Sequence, residues 1–180
     1  MRKNRIWKRV LTGVFAASMI LGSAGGTMAN AEEASDNGMV RSFLTGKLVP
    51  ETIGRKKAIS VMFNNIQAAL PQSGISNAEV VYEAPVEGGI TRLMGILEDY
   101  QDVERIGSVR SCRNYFVYFA REFNTYYLHY GQAVYALDLL NLADTLNISG
   151  LDAVGETVYY RSDDFESPHN VFNNYDMIKA

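Results

Sequence analysis

"VVYEAPVEGGITRLMGIL", residues 80–97, decides the fold. Val80, Val81 and Tyr82 suit a strand, Gly88-Gly89 suits a tight reversal, and residues 90–97 return as a second strand. The stretch therefore predicts a β-hairpin, with Arg92 on the returning strand placed to pair with Glu83 or Glu87. Upstream, in "KAISVMFNN", the apolar run 58–63 stops at Asn64-Asn65 and predicts a buried strand ending in a loop. "LPQSG", residues 70–74, is a turn. Downstream, residues 106–109 predict a short strand. Ser111 is expected to cap a helix whose Tyr115, Phe116, Phe119 and Phe123 share one face, so this aromatic stripe is expected in the core. Residues 125–130 and 157–161 read as further strands, 133–146 as an amphipathic helix, 167–172 as a loop and 174–179 as a helical turn. Strands and helices mixed in this way, with at least one hairpin, predict an α/β or α+β fold, a layered mixed-sheet sandwich rather than a helical bundle or a pure β-sandwich.

The start of the chain speaks about compartment. Arg2, Lys3, Arg5, Lys8 and Arg9 precede an apolar stretch over about residues 10–21, followed by small residues with Ala29 and Ala31 in an A-x-A exit. This predicts a secretory signal, residues 1–31; an uncleaved anchor is the other reading, but the apolar core is shorter than the roughly 20 residues of a spanning helix. No cysteine follows the apolar core, so no lipid attachment is expected, and no later stretch is long and apolar enough to span a membrane. Residues 32–56 are polar and aperiodic and predict a tether with an ordered turn near residues 44–46, leaving 57–180 as one domain.

Cleavage after residue 31 takes away five of the 17 Lys and Arg and none of the 20 Asp and Glu, leaving a net charge of −8. A domain that acidic is a poor partner for nucleic acid, which needs clustered cations. The single cysteine, Cys112, forms no internal disulfide, so packing alone must hold the exported domain.

"LTG" at 44–46, "VMFNN" at 61–65, "PQSG" at 71–74, "VYEAPVEGGITRLMGI" at 81–96, "IGSVRSCRNYF" at 106–116, "LHYG" at 128–131 and "SPHNVF" at 167–172 together resemble, in order and spacing, the YerB-like lipoproteins of Gram-positive bacteria. The resemblance covers residues 44–180. It implies an envelope protein with a three-layer ββα sandwich and no established enzymatic activity. Members usually continue into a further C-terminal domain and often carry a lipobox cysteine, so the resemblance implies a chain that stops short of its relatives.

Cys112 stands between Arg110 and Arg113, which would favour a thiolate. The family pattern, however, resembles "VRSAR", with alanine at this position, so Cys112 is expected to pack as a small apolar residue. Arg110 and Arg113, three apart, are expected on one side of a first helical turn, where they would hold a carboxylate or phosphate or instead pair with Glu83 or Glu87. Those two acids lie about 13 Å apart in an extended strand, too far for a glycosidase pair unless the chain folds back. His129 and His169 are forty residues apart with no second ligand at metal spacing, so neither a metal nor any other cofactor is expected. His129 suits a satisfied core position, and His169, beside Asn170, an exposed loop.

Asn64, Glu83, Glu87, Arg92, Arg110, Arg113, His129, His169 and Asn170 are the candidate ligand-binding residues, most of them at or near predicted element ends that can converge on one polar cleft. The expected function is non-catalytic binding of a cell-wall component or an envelope protein. The alternatives are a peptidoglycan hydrolase or transferase using Glu87 or His169, and a purely structural module.

Overall fold

The computed structural model describes residues 38–179, so the expected signal at 1–31 and the first residues of the expected tether lie outside the described residues. The hairpin predicted by residues 80–97 is present as β4 (Val80–Pro85) and β5 (Thr91–Leu97), paired antiparallel from Val80↔Ile96 to Pro85↔Thr91. Its connection needs Gly88 and Gly89, which take φ of 79° and 71°, values that any side chain bearing a Cβ resists.

β5 pairs antiparallel with β3 (Ile59–Asn64), and β3 pairs parallel with β7 (Tyr126–His129), which in turn pairs parallel with β8 (Asn147–Ser149). The five-stranded sheet thus has the order β4-β5-β3-β7-β8 and is mixed. Every residue of β3 is buried, as a central strand covered on both faces must be. Alternation sends Ile59, Val61 and Phe63 into one core, with Leu97 and Leu128, and Met62 into the other, with Met94, Ile96 and Tyr127. Gly95 is needed here because a Cβ at this position would lie 2.9 Å from the Phe63 ring.

The second core is closed by α2 (Asn114–Glu122), whose Phe116, Val117 and Ala120 are buried, while Tyr115, Phe119 and Phe123 pack at its margin. Tyr82 stacks on Phe119 at 4.5 Å, so the aromatic stripe is core as expected. The first core is closed by a three-stranded sheet, β6 (Ile106–Gly107), β10 (Val171–Asn173) and β9 (Tyr160–Arg161), which contributes Ile106 and Val171. Helix, sheet, sheet is the layering that the family resemblance implied.

Several local expectations are corrected. Residues 38–56 are not a tether: β1 (Met39–Arg41) pairs with β2 (Leu48–Pro50), and α1 (Glu51–Gly54) follows. Ser42 Oγ donates to the buried Glu98 carboxylate, and Phe43 N donates to Glu98 Oε1 at 3.2 Å. These long-range bonds dock a segment whose own pattern carries no periodicity. The helix expected over 133–146 is a 3₁₀ turn (Val134–Ala136) running into one short helix, α3 (Leu137–Leu140). It ends early because Thr145 Oγ1 takes the Leu139 carbonyl at 2.8 Å, turning the chain instead of extending the helix. Residues 157–161 are split between α4 (Gly155–Val158) and β9, and the final turn is α5 (Tyr175–Ile178).

Candidate functional site

Segment 108–112, which precedes α2, is extended rather than helical. It is wedged where β3 and β7 diverge at their carboxyl ends. On one side Asn64 N donates to Ser108 O at 2.9 Å and Arg110 N to Met62 O at 3.0 Å. On the other, Tyr130 N donates to Arg110 O at 3.1 Å, Cys112 N to Gly131 O at 2.9 Å and Ala133 N to Cys112 O at 3.1 Å. The carboxyl ends of parallel strands are where layered α/β folds most often place ligands, because the diverging connections leave room there. This wedge corrects two expectations. Ser111 does not cap the helix, since Arg113 occupies that position with an extended backbone and no side-chain cap, and Arg110 lies ahead of the first turn.

The wedge brings Arg110 and Arg113 beside Arg92, which the β3–β5 register sets opposite Asn64. Arg113 is fully engaged: its Nε donates to both Glu87 carboxylate oxygens at 2.8 and 2.9 Å, its Nη2 donates to Oε2 at 2.5 Å, and Nη1 donates to Cys112 O at 2.8 Å. Tyr135 Oη adds a hydrogen bond to Glu87 Oε1 at 2.6 Å. Donation from Arg113, then from Tyr135, holds the Glu87 carboxyl down at about 2, well below the usual carboxylate range.

Arg92 is different. It is only 6% exposed, its Nη1 donates to Ser111 O, and its buried Nε has no hydrogen-bond partner among the described residues. The expected pairing of Arg92 with Glu83 or Glu87 is not made. Glu83 sits opposite Leu93, its side chain on the outer face, where it accepts from Thr91 Oγ1 at 2.6 Å and Asn65 Nδ2 at 3.2 Å. Glu87 is spent on Arg113. Burial, followed by the Arg113 and Arg110 charges, lowers the Arg92 guanidinium to about 10. Arg110 repeats the pattern more mildly: Nη1 donates to Pro168 O at 2.9 Å, and its buried Nε is also without a partner. Burial and Arg113 lower its pKa too.

His169 reaches the same place from the loop before β10. Its Nδ1 lies 2.8 Å from Asn64 Nδ2, so an amide donating there leaves the imidazole proton on Nε2. Burial, then the Arg110 charge, lowers its pKa and favours the neutral ring. Asn170 does not join: its Oδ1 accepts from Arg161 Nη1 at 2.7 Å. Nor does His129, which is completely buried, with Nδ1 2.7 Å from Gly131 O and Nε2 2.6 Å from Asn147 Oδ1. Its place is the core.

Cys112 is buried without exposed surface, and desolvation pushes its thiol up to about 11 despite Arg113 and Arg92 nearby. It is a packed small residue, and the flanking arginines do not activate it. Sequence reasoning does not bring to the site Tyr115, whose Oη donates to Pro85 O at 2.5 Å, or Tyr135, which it expects within a longer helix. No signal in the chain marks either as a neighbour of Glu87. Elsewhere, a groove of about 500 Å³ is lined by residues 101–104 and 174–176, but all of these side chains except Tyr175 are acidic, amide or aliphatic, and none has a buried unpaired polar atom. The arginine site is therefore the stronger candidate.

The comparisons agree on relationship. A family described as "Protein of unknown function (DUF3048) N-terminal domain" matches residues 44–180. "Putative lipoprotein YerB" of Bacillus subtilis (strain 168) is 37% identical over 136 residues, which make up 76% of this chain and 40% of that protein. The crystal structure of YerB from Bacillus subtilis superposes with a TM-score of 0.71 at 34% identity, covering 78% of this chain and 48% of that one. The chain thus spans less than half the length of the relative it matches. With the layered mixed sheet, the E-G-G-I-T-R hairpin and the V-R-S wedge all in place, this chain belongs to the DUF3048 N-terminal domain family.

Proposed function

We propose that this domain is exported and binds a cell-wall component or another envelope protein, without catalysing a reaction, through the arginine site. The observation that carries this reading is the pair Arg92 and Arg110, whose buried Nε atoms have no partner among the described residues. A buried guanidinium donor left unpaired costs on the order of 1–3 kcal/mol, so a fold that retains two of them gains that free energy back when a ligand supplies acceptors. The basic start, apolar core and A-x-A exit of residues 1–31, and the likeness to a Bacillus protein named as a lipoprotein, support an envelope location. Among the described residues no helix is long and apolar enough to cross a membrane.

A peptidoglycan hydrolase using Glu87 or His169 is less well supported. Glu87 is held ionised by Arg113 and Tyr135 and has no proton to give near neutral pH. The test is sedimentation of the secreted protein with purified Gram-positive cell walls and, separately, with detergent-solubilised envelope protein. Retention in either fraction that is lost in Arg110→Ala, with no sugar or peptide fragments released, is the expected result. Fragment release would instead establish the hydrolase, and retention unchanged in Arg110→Ala would place binding elsewhere.

A further inference from the structure

The binding reading leaves open what the arginine site recognises, and its charge and donors narrow the choice. Three guanidiniums stand together, and the single carboxylate in contact with them among the described residues, Glu87, is consumed by Arg113. Two positive charges, on Arg92 and Arg110, remain without an ionic partner among the described residues. Both guanidiniums are clamped at one end by main-chain carbonyls, Ser111 O for Arg92 and Pro168 O for Arg110. That limits their rotation, and among the described residues neither Nε nor Nη2 of either side chain is hydrogen-bonded. Resting on the binding reading above, we propose that the site holds the terminal phosphate of a phosphate monoester, gripped between Arg92 and Arg110.

Three physical points favour this ligand. First, a phosphate monoester carries about −1.5 to −2 charges at pH 7 and three acceptor oxygens, which matches two cations presenting forked donors. A lone carboxylate would leave one of the two cations uncompensated. Second, planar forks held by the backbone suit bidentate contact with phosphate oxygens, and little side-chain freedom remains to be lost on binding. Third, a polymeric phosphodiester is a poor occupant: it brings one charge per phosphate and a long anionic chain, and residues 32–180 carry a net charge of −8 that repels it. A terminal phosphate brings its charge only where the arginines are. The same chemistry is offered by a phosphorylated sugar, a phosphorylated polyol or a lipid phosphate headgroup.

Calorimetric titration of the secreted chain with methyl phosphate, dimethyl phosphate and acetate tests this directly on the unaltered protein. Methyl phosphate is expected to bind at least tenfold more tightly than either singly charged probe, and to raise the melting temperature. Arg92→Met should weaken methyl phosphate binding at least tenfold. Arg92→Lys should not restore it, because a point charge replaces the fork. Should Arg92→Met fail to fold, Arg110→Gln serves, with the same expected loss. Equal affinity for the three probes, or none for methyl phosphate, overturns the phosphate assignment. If walls or envelope protein are nonetheless retained through Arg110, and methyl phosphate does not compete, the phosphate assignment alone falls. If retention is indifferent to Arg110, the binding reading itself falls. Glucose 6-phosphate, glycerol 3-phosphate and vesicles containing phosphatidic acid then distinguish the sources.

Discussion

His129 and Arg92 are both buried polar side chains at sheet positions, and they differ in how they are satisfied. His129, at the end of β7, has Nδ1 on the Gly131 carbonyl and Nε2 on the Asn147 side-chain amide, so a neutral ring donates to the first and accepts from the NH2 of the second once that amide is turned to present it. Arg92, at the start of β5, has one bonded donor and one buried donor without a partner among the described residues. A closed polar centre stabilises the fold that surrounds it. An open one lowers stability and acquires a use only when something else completes it. Residue type alone is a poor guide here, because histidine is the more common ligand and His129 is closed within the core.

The largest expected effect is on the closed centre. His129→Ala removes a fully buried ring and strands the Gly131 carbonyl and the Asn147 side-chain amide, so unfolding in urea should show a loss of about 3 kcal/mol. A loss below about 1 kcal/mol would mean that the His129 centre is no better satisfied than the arginine site, and would break the contrast. The open centre should behave in the opposite sense. Arg92→Met exchanges an uncompensated buried cation for an apolar side chain of similar length, and its stability should hold or rise by up to about 2 kcal/mol. A clear destabilisation would show that the Ser111 contact outweighs the cost of burying the charge. Arg113→Ala, which breaks a pair with the exposed Glu87, should cost about 1 kcal/mol or less.

Acidity sharpens the same comparison. Burial lowers the His129 pKa in the folded protein below its value of 6.5 in a free chain. The unfolded chain then binds the proton more readily, so the contribution of His129 to stability is complete above about pH 6.5. It declines as the pH falls toward the lowered folded value. His169 shifts in the same direction, through burial and Arg110. The melting temperature should therefore fall between pH 7.5 and pH 5, and His129→Gln should flatten most of that slope, while His169→Gln flattens less because the ring is only partly buried. A slope unchanged in His129→Gln would assign the pH dependence to the carboxylates instead.

The smallest effect is expected at Cys112. Loss of one sulfur atom from a packed site in Cys112→Ala should cost about 1 kcal/mol, with binding unchanged. A thiol raised to about 11 should also react slowly with a maleimide at neutral pH in the folded state. Rapid labelling would reopen the case for an activated cysteine.

The sequence by itself determined the parts of this protein whose information is local. Two glycines at the reversal of residues 80–97, an unbroken apolar run at 58–63 and aromatic residues at helical spacing after 113 each dictate their own element. The motifs carried family membership as well. Tertiary structure decided what depends on partners distant in the chain. The segment 38–56 has no periodicity and is ordered by Glu98, more than forty residues away. The helix after Ala133 is cut short by a threonine side chain rather than by a proline or glycine. Most of all, tertiary structure decided which arginine meets Glu87. The hairpin placed Arg92 across from the acids, but the strand's two-residue alternation turned it toward the opposite face from Glu83, while the wedge carried Arg113 onto Glu87. Charge and spacing can name the members of a site, but which cation meets which carboxylate is settled by the face each side chain takes once the strands are paired.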